Sequence, residues 1–112
     1  RFNPNRTGDA FHLLSPKIGY VDLEKLTNAQ VDAMFEMFQD TDAIVMDIGM
    51  PGMNGYDAAR LIRQQPGNEK TVLIALTGWG QASDKTQASL AGFNHHLVKP
   101  IDYDSLVSCL AD

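Results

Sequence analysis

Two short apolar runs limit what this chain can become. They are AIVM at 43–46 and TVLIAL at 71–76. Neither places a polar residue at every second position, as a strand with one wet face would. Both are rich in branched residues and too short for helices, so both read as strands covered on two sides. The longer apolar stretch, Val72 to Leu76, is far too short to cross a bilayer.

The segments around these runs supply the covering helices. In TNAQVDAMFEMFQD (27–40), Thr27 and Gln30 have capping-box spacing. Val31, Met34, Phe35 and Phe38 follow as one apolar stripe. YDAARLIRQQ (56–65) puts Tyr56, Ala59 and Ile62 on one face and stops at Pro66-Gly67. A small-residue helix is expected over 81–92, ended by Gly92, and another over 102–112 with Leu106, Cys109 and Leu110 inward. YVDL (20–23) reads as an edge strand and NHHLV (94–98) as a short strand. TGDAFHLL (7–14) reads as a helix stopped by Ser15-Pro16. The strict alternation of helix and strand predicts an α/β fold, a doubly wound parallel sheet with right-handed crossovers. At 112 residues it forms one domain, 1–112.

Charge narrows the partners. The net charge of −5 argues against a nucleic-acid or anionic-membrane surface, either of which needs a basic patch. A single cysteine, Cys109, excludes an internal disulfide and suits a reducing, cytoplasmic setting.

Chemistry in a parallel sheet gathers at the carboxyl ends of the strands. There stand Asp47, Thr77 and Lys99, each the first side chain past its expected strand. No His or Cys partner completes a hydrolase triad. A carboxylate can attack phosphorus, a lysine can neutralise phosphoryl oxygens, and a hydroxyl can donate to one of them. The trio suits a phosphoryl group.

The segments DAIVMDIGMPGMNGYDAARLIR, ALTGWG and AGFNHHLVKPIDYDSL resemble the receiver domain of two-component response regulators. LTGWGQ with GFNHHLVKP is most similar to receivers fused to hybrid sensor histidine kinases. The resemblance implies a flavodoxin-like sheet in the order 2-1-3-4-5. It implies Asp47 as phosphoacceptor, Thr77 as switch hydroxyl, Lys99 as rim lysine, and Asp47 with the main-chain carbonyl of Gly49 as Mg2+ ligands. The implied function is phosphotransfer from a sensor histidine kinase or phosphotransfer protein, in a signalling module rather than an enzyme. A homodimer through 81–112 is the implied self-association.

This chain also departs from the pattern. The family's metal-binding acids should fall in RFNPNR (1–6), where Asn3 offers one neutral oxygen and Pro4 none. Mg2+ binding is therefore expected to be weak, and the first strand truncated or atypical. The switch position, usually an aromatic, is His96, adjacent to His95 on the opposite face of its strand. Trp79 could serve as a further signalling ring. A pseudo-receiver that binds partners without being phosphorylated is the main alternative. A phosphatase of the haloacid dehalogenase type would need a second Asp where Gly49 stands.

Overall fold

The computed structural model describes residues 8–49, 53–65, 67–78, 89–99 and 103–110. Its elements are β1 (Phe11–Ser15), β2 (Ile18–Asp22), a 3-10 turn (Asn28–Gln30), α1 (Val31–Phe38), β3 (Ala43–Gly49), α2 (Met53–Gln64), β4 (Val72–Thr77), β5 (His95–Val98) and α3 (Tyr103–Leu110). Residues 89–91 are also helical. The expectations placed on Asn3, Pro4, Trp79 and most of 81–92 lie outside the described residues.

Five strands form one sheet, and β2 through β5 run parallel. The two apolar runs became β3 and β4, interior strands covered on both faces. Alternate side chains serve different cores. Ile44, Met46, Leu73 and Ala75 join α1 and α2 on one face. Val45, Ile74 and Leu76 join Leu106 and Cys109 of α3 on the other. A strand between two cores has no reason to alternate. The expected inward face of α2, Tyr56, Ala59 and Ile62, is buried, as are Met34 and Phe38 of α1. Gln30 accepts the Thr27 N–H at 3.0 Å, as the capping box requires.

Three expectations fail at the N-terminal end. The segment 7–14 is not a helix: its second half is β1, antiparallel to β2. Ser15-Pro16 does not stop a helix but opens a hairpin turn, in which Ser15 Oγ accepts the Lys17 N–H. Phe11 packs edge-on against Phe38 with ring centroids 6.1 Å apart, which fastens β1 to the core under α1. The strand YVDL is not at an edge. It lies between β1 and β3, and Tyr20 and Val21 have no exposed surface. The sheet is therefore five-stranded and mostly parallel as expected, but its strands follow chain order instead of 2-1-3-4-5. Ile18–Asp22 takes the place beside β3 that the resemblance gave to residues 1–6. Its pairing with β3 is continuous from Ile18↔Ala43 to Asp22↔Asp47. Gly19 permits the overlying packing, because a Cβ there would stand 2.7 Å from the Phe38 ring.

Candidate functional site

The pairing just described sets the rim. Asp47 lies on β3 two residues before its end, so the strand runs slightly further than the sequence suggested. The ladder with β4 shifts between Asp47↔Leu76 and Gly49↔Thr77. Such an irregularity re-aims side chains at a strand end. Thr77 closes β4, and Lys99 follows β5 with its N–H donated to the Thr77 carbonyl at 2.8 Å. All three residues thus stand at the carboxyl end of the sheet.

Asp47 is almost fully buried, at 7% exposure. Both of its oxygens are engaged. Lys99 Nζ lies 2.8 Å from Oδ1, and the Tyr20 hydroxyl donates to Oδ2 at 2.6 Å. The distance to Tyr20 is that of a charge-assisted bond. Tyr20 sits opposite Val45 in the ladder and reaches forward two residues to the carboxylate. Burial first, then the hydrogen bond and charge of Asp47, then the charge of Asp22, push the Tyr20 phenol well above its ordinary value. It stays protonated and remains a donor.

Asp22 is the second acid of the rim. It is buried and pairs in register with Asp47, and its Oδ1 accepts the Glu24 N–H at 3.0 Å. The Leu23 N–H donates to the Asp47 carbonyl, which carries the pairing to the rim itself. Thr77 makes a different contact: its Oγ1 lies 3.2 Å from Nε2 of His96, in a hydrogen bond whose direction follows the imidazole tautomer. His95 pairs with Ile74 and His96 with Ala75, so the two rings point to opposite faces.

Mg2+ needs hard oxygen ligands, holds one or two carboxylates and keeps several waters. Asp47 and Asp22 stand side by side, and β3 ends at Gly49, two residues past Asp47. Among the described residues no cluster of three or more His, Cys, Asp or Glu forms. Two adjacent carboxylates with room for water is the set on offer, and it suits a hard divalent ion. Lys99 is the competitor, since it already neutralises Oδ1.

Sequence reasoning brought Asp47, Thr77 and Lys99 to one rim and missed Tyr20 and Asp22. Their signal was present in YVDL, a tyrosine and an acid two residues apart and hence on one face. A strand at the sheet edge would hold that pair away from Asp47, and only the interior position beside β3 brings it there.

Known proteins resemble this chain over most of its length. Residues 12–111 match the response regulator receiver domain family. The signal transduction histidine-protein kinase BarA of Escherichia coli K12 is 35% identical over 98 residues, which is 88% of this chain and 10% of that protein. The chain therefore spans about a tenth of that relative. The chemotaxis response regulator CheY4 of Vibrio cholerae superposes with a TM-score of 0.60 at 25% identity, over 81% of this chain and 71% of that one. The receiver domain of the sensor histidine kinase PA1611 from Pseudomonas aeruginosa PAO1 has a magnesium ion coordinated in its active-site cleft. It superposes with a TM-score of 0.52 at 37% identity, over 62% of this chain and 57% of that one. No helix among the described residues is long and apolar enough to cross a membrane.

Proposed function

Because this chain belongs to the response regulator receiver family, we propose that it takes a phosphoryl group onto Asp47 from the phosphohistidine of a sensor kinase or phosphotransfer protein. The observation that carries this reading is the setting of Asp47: a carboxylate at the carboxyl rim, nearly buried yet reached by the half-exposed ammonium of Lys99. The attacking carboxylate oxygen bonds to phosphorus as the donor's P–N bond breaks, and the electron pair leaves with the imidazole. Lys99 moves from Asp47 to the phosphoryl oxygens. Thr77 exchanges its bond with His96 for one to a phosphoryl oxygen, and the freed His96 changes the surface around β5. Asp47, Asp22 and the Gly49 carbonyl would hold Mg2+, which when bound neutralises charge on the phosphoryl group. Binding is weak in this reading because Lys99 already neutralises the Asp47 carboxylate.

Incubation with acetyl phosphate and magnesium, read by intact mass, tests the proposal. One phosphoryl mass is expected, lost in Asp47→Asn. Labelling that survives this substitution rules out Asp47 as the acceptor. A pseudo-receiver is the second reading, and one observation favours it: both Asp47 oxygens are already occupied, by Tyr20 and Lys99. Failure of acetyl phosphate and a panel of phosphorylated histidine donors to label the chain would decide for that alternative. The self-association through 81–112 belongs to the first reading, and is checked by gel filtration before and after phosphorylation.

A further inference from the structure

Asp47 is held by two donors of unlike kind. The Lys99 side chain is 42% exposed and can leave and return. Tyr20 cannot. It has no exposed surface and belongs to the core formed by Val45, Ile74, Leu76 and Leu106. The His12 ring lies over it, with centroids 5.0 Å apart. Its β2 backbone is paired on both sides, by β1 and β3.

A fixed donor on one oxygen makes the two carboxylate oxygens unequal. Oδ1 opens to an incoming phosphorus when Lys99 shifts, whereas Oδ2 stays bonded beneath. In phosphorylation, Oδ1 forms the new O–P bond. The donor's P–N or P–O bond breaks, and its electron pair leaves with imidazole or acetate. Oδ2 becomes the carbonyl oxygen of the acyl phosphate. In hydrolysis, a water oxygen bonds to phosphorus, the Oδ1–P bond breaks, and the electron pair returns to the carboxylate. The water proton passes to solvent. The charge on Oδ2 therefore falls on phosphorylation and is regained during hydrolysis. A hydroxyl donor binds an ionised acceptor roughly twice as strongly as a neutral one. A donor that cannot withdraw thus stabilises the free carboxylate, and the transition state in which it departs, over the acyl phosphate.

We propose that Tyr20 sets the lifetime of the aspartyl phosphate: its hydroxyl, fixed on Oδ2 of Asp47, leaves Oδ1 as the attacking oxygen and draws the acyl phosphate back to the carboxylate. The proposal rests on Asp47 being the phosphoacceptor. Tyr20 acts through Asp47 and is a positioning residue.

The test is the decay of the phosphorylated full chain. The protein is labelled with acetyl phosphate and magnesium, freed of the donor and followed by intact mass. Tyr20→Phe keeps the ring and its packing and removes only the hydroxyl. Its phosphorylated form is expected to decay roughly tenfold more slowly than the parent's, the gap between a hydrogen bond to a charged and to a neutral acceptor. Site-specific 3-fluorotyrosine at position 20, a stronger donor in the same space, is expected to shorten the lifetime below the parent's. A purely structural role would not follow donor strength in this way. Labelled Tyr20→Phe and fluorotyrosine proteins that both decay within twofold of the parent overturn the assignment to Tyr20 and leave Asp47 as acceptor. A parent that takes no phosphoryl group overturns the acceptor reading and this one with it. If Tyr20→Phe fails to fold, the fluorotyrosine protein decides alone: a shortened lifetime supports the proposal and an unchanged one overturns it.

Discussion

Two cations at opposite ends of the sheet are treated in contrary ways. Arg63, in the last turn of α2, faces the entry side of the strands, and Lys99 stands at the exit rim. The Arg63 guanidinium donates to the carbonyls of Gly92, Asn68, Glu69 and Thr71 and to the side-chain oxygen of Asn94. Asn94 in turn accepts the Leu73 N–H at the start of β4. Among the described residues these partners are neutral main-chain or amide oxygens. One planar fork therefore ties α2, the entry to β4 and the loop before β5 into a single unit. Burial pushes the Arg63 guanidinium below its ordinary value, yet an arginine keeps its charge. Lys99 instead holds a single ion pair with a carboxylate, from a half-exposed and flexible stem. The first arrangement has nowhere else to go. The second can change partners, which is what a site that accepts an anion requires.

The largest expected effect tests the fixed end. Arg63→Ala should cost roughly 3 kcal/mol in urea denaturation, because several part-buried carbonyls lose their donor at once. Arg63→Lys should recover little of it, since an ammonium cannot reproduce the fork. A loss under about 1 kcal/mol for Arg63→Ala would show that the carbonyls find water, and the contrast between the ends would fail.

At the rim, Asp22→Asn should weaken Mg2+ binding roughly tenfold, about 1.4 kcal/mol, by removing one of two adjacent carboxylates. Isothermal titration measures it. Unchanged affinity would place the ion away from Asp22.

The buried phenol predicts a dependence on alkaline pH. The Tyr20 pKa is raised in the folded protein above its ordinary 10.0. The unfolded chain loses the proton first, so stability from this group is complete below pH 10.0 and is lost as pH rises beyond it. The expected loss is about 1.4 kcal/mol by about pH 11. Tyr20→Phe should flatten that part of the stability profile. An identical alkaline slope in both proteins would mean that Tyr20 titrates in the fold as it does when unfolded.

The smallest expected effect concerns Lys99. Lys99→Ala should cost less than about 1 kcal/mol of stability, given the exposure of the side chain. It should at the same time tighten Mg2+ binding by removing the cation that competes for the Asp47 carboxylate. A variant that unfolds would make Lys99 a structural cation like Arg63 and erase the difference between the two ends.

Local pattern carried the parts of this protein that depend on local rules. The apolar runs at 43–46 and 71–76 could only be covered strands, and the stripes of α1 and α2 could face only one way. Asp47, Thr77 and Lys99 could be placed at one rim because each lies at or just past the end of a parallel strand. The role of Arg63 is not legible in the sequence, because an arginine late in a helix looks the same whether it meets water or five carbonyl-type oxygens. Which strand stands beside β3 is likewise no local property. Ser15-Pro16 is as good a hairpin turn as a helix stop, and only the closure of the core against Phe11 and Phe38 chooses between them. That choice moves Ile18–Asp22 to the interior and brings Tyr20 and Asp22 to Asp47. The sequence by itself determined the strands β3 and β4, the helices α1 and α2 and the shared rim of Asp47, Thr77 and Lys99, since periodicity and turn chemistry act over a few residues. The tertiary structure alone decided the neighbours of Asp47, because pairing between strands is settled by burial summed over the whole sheet.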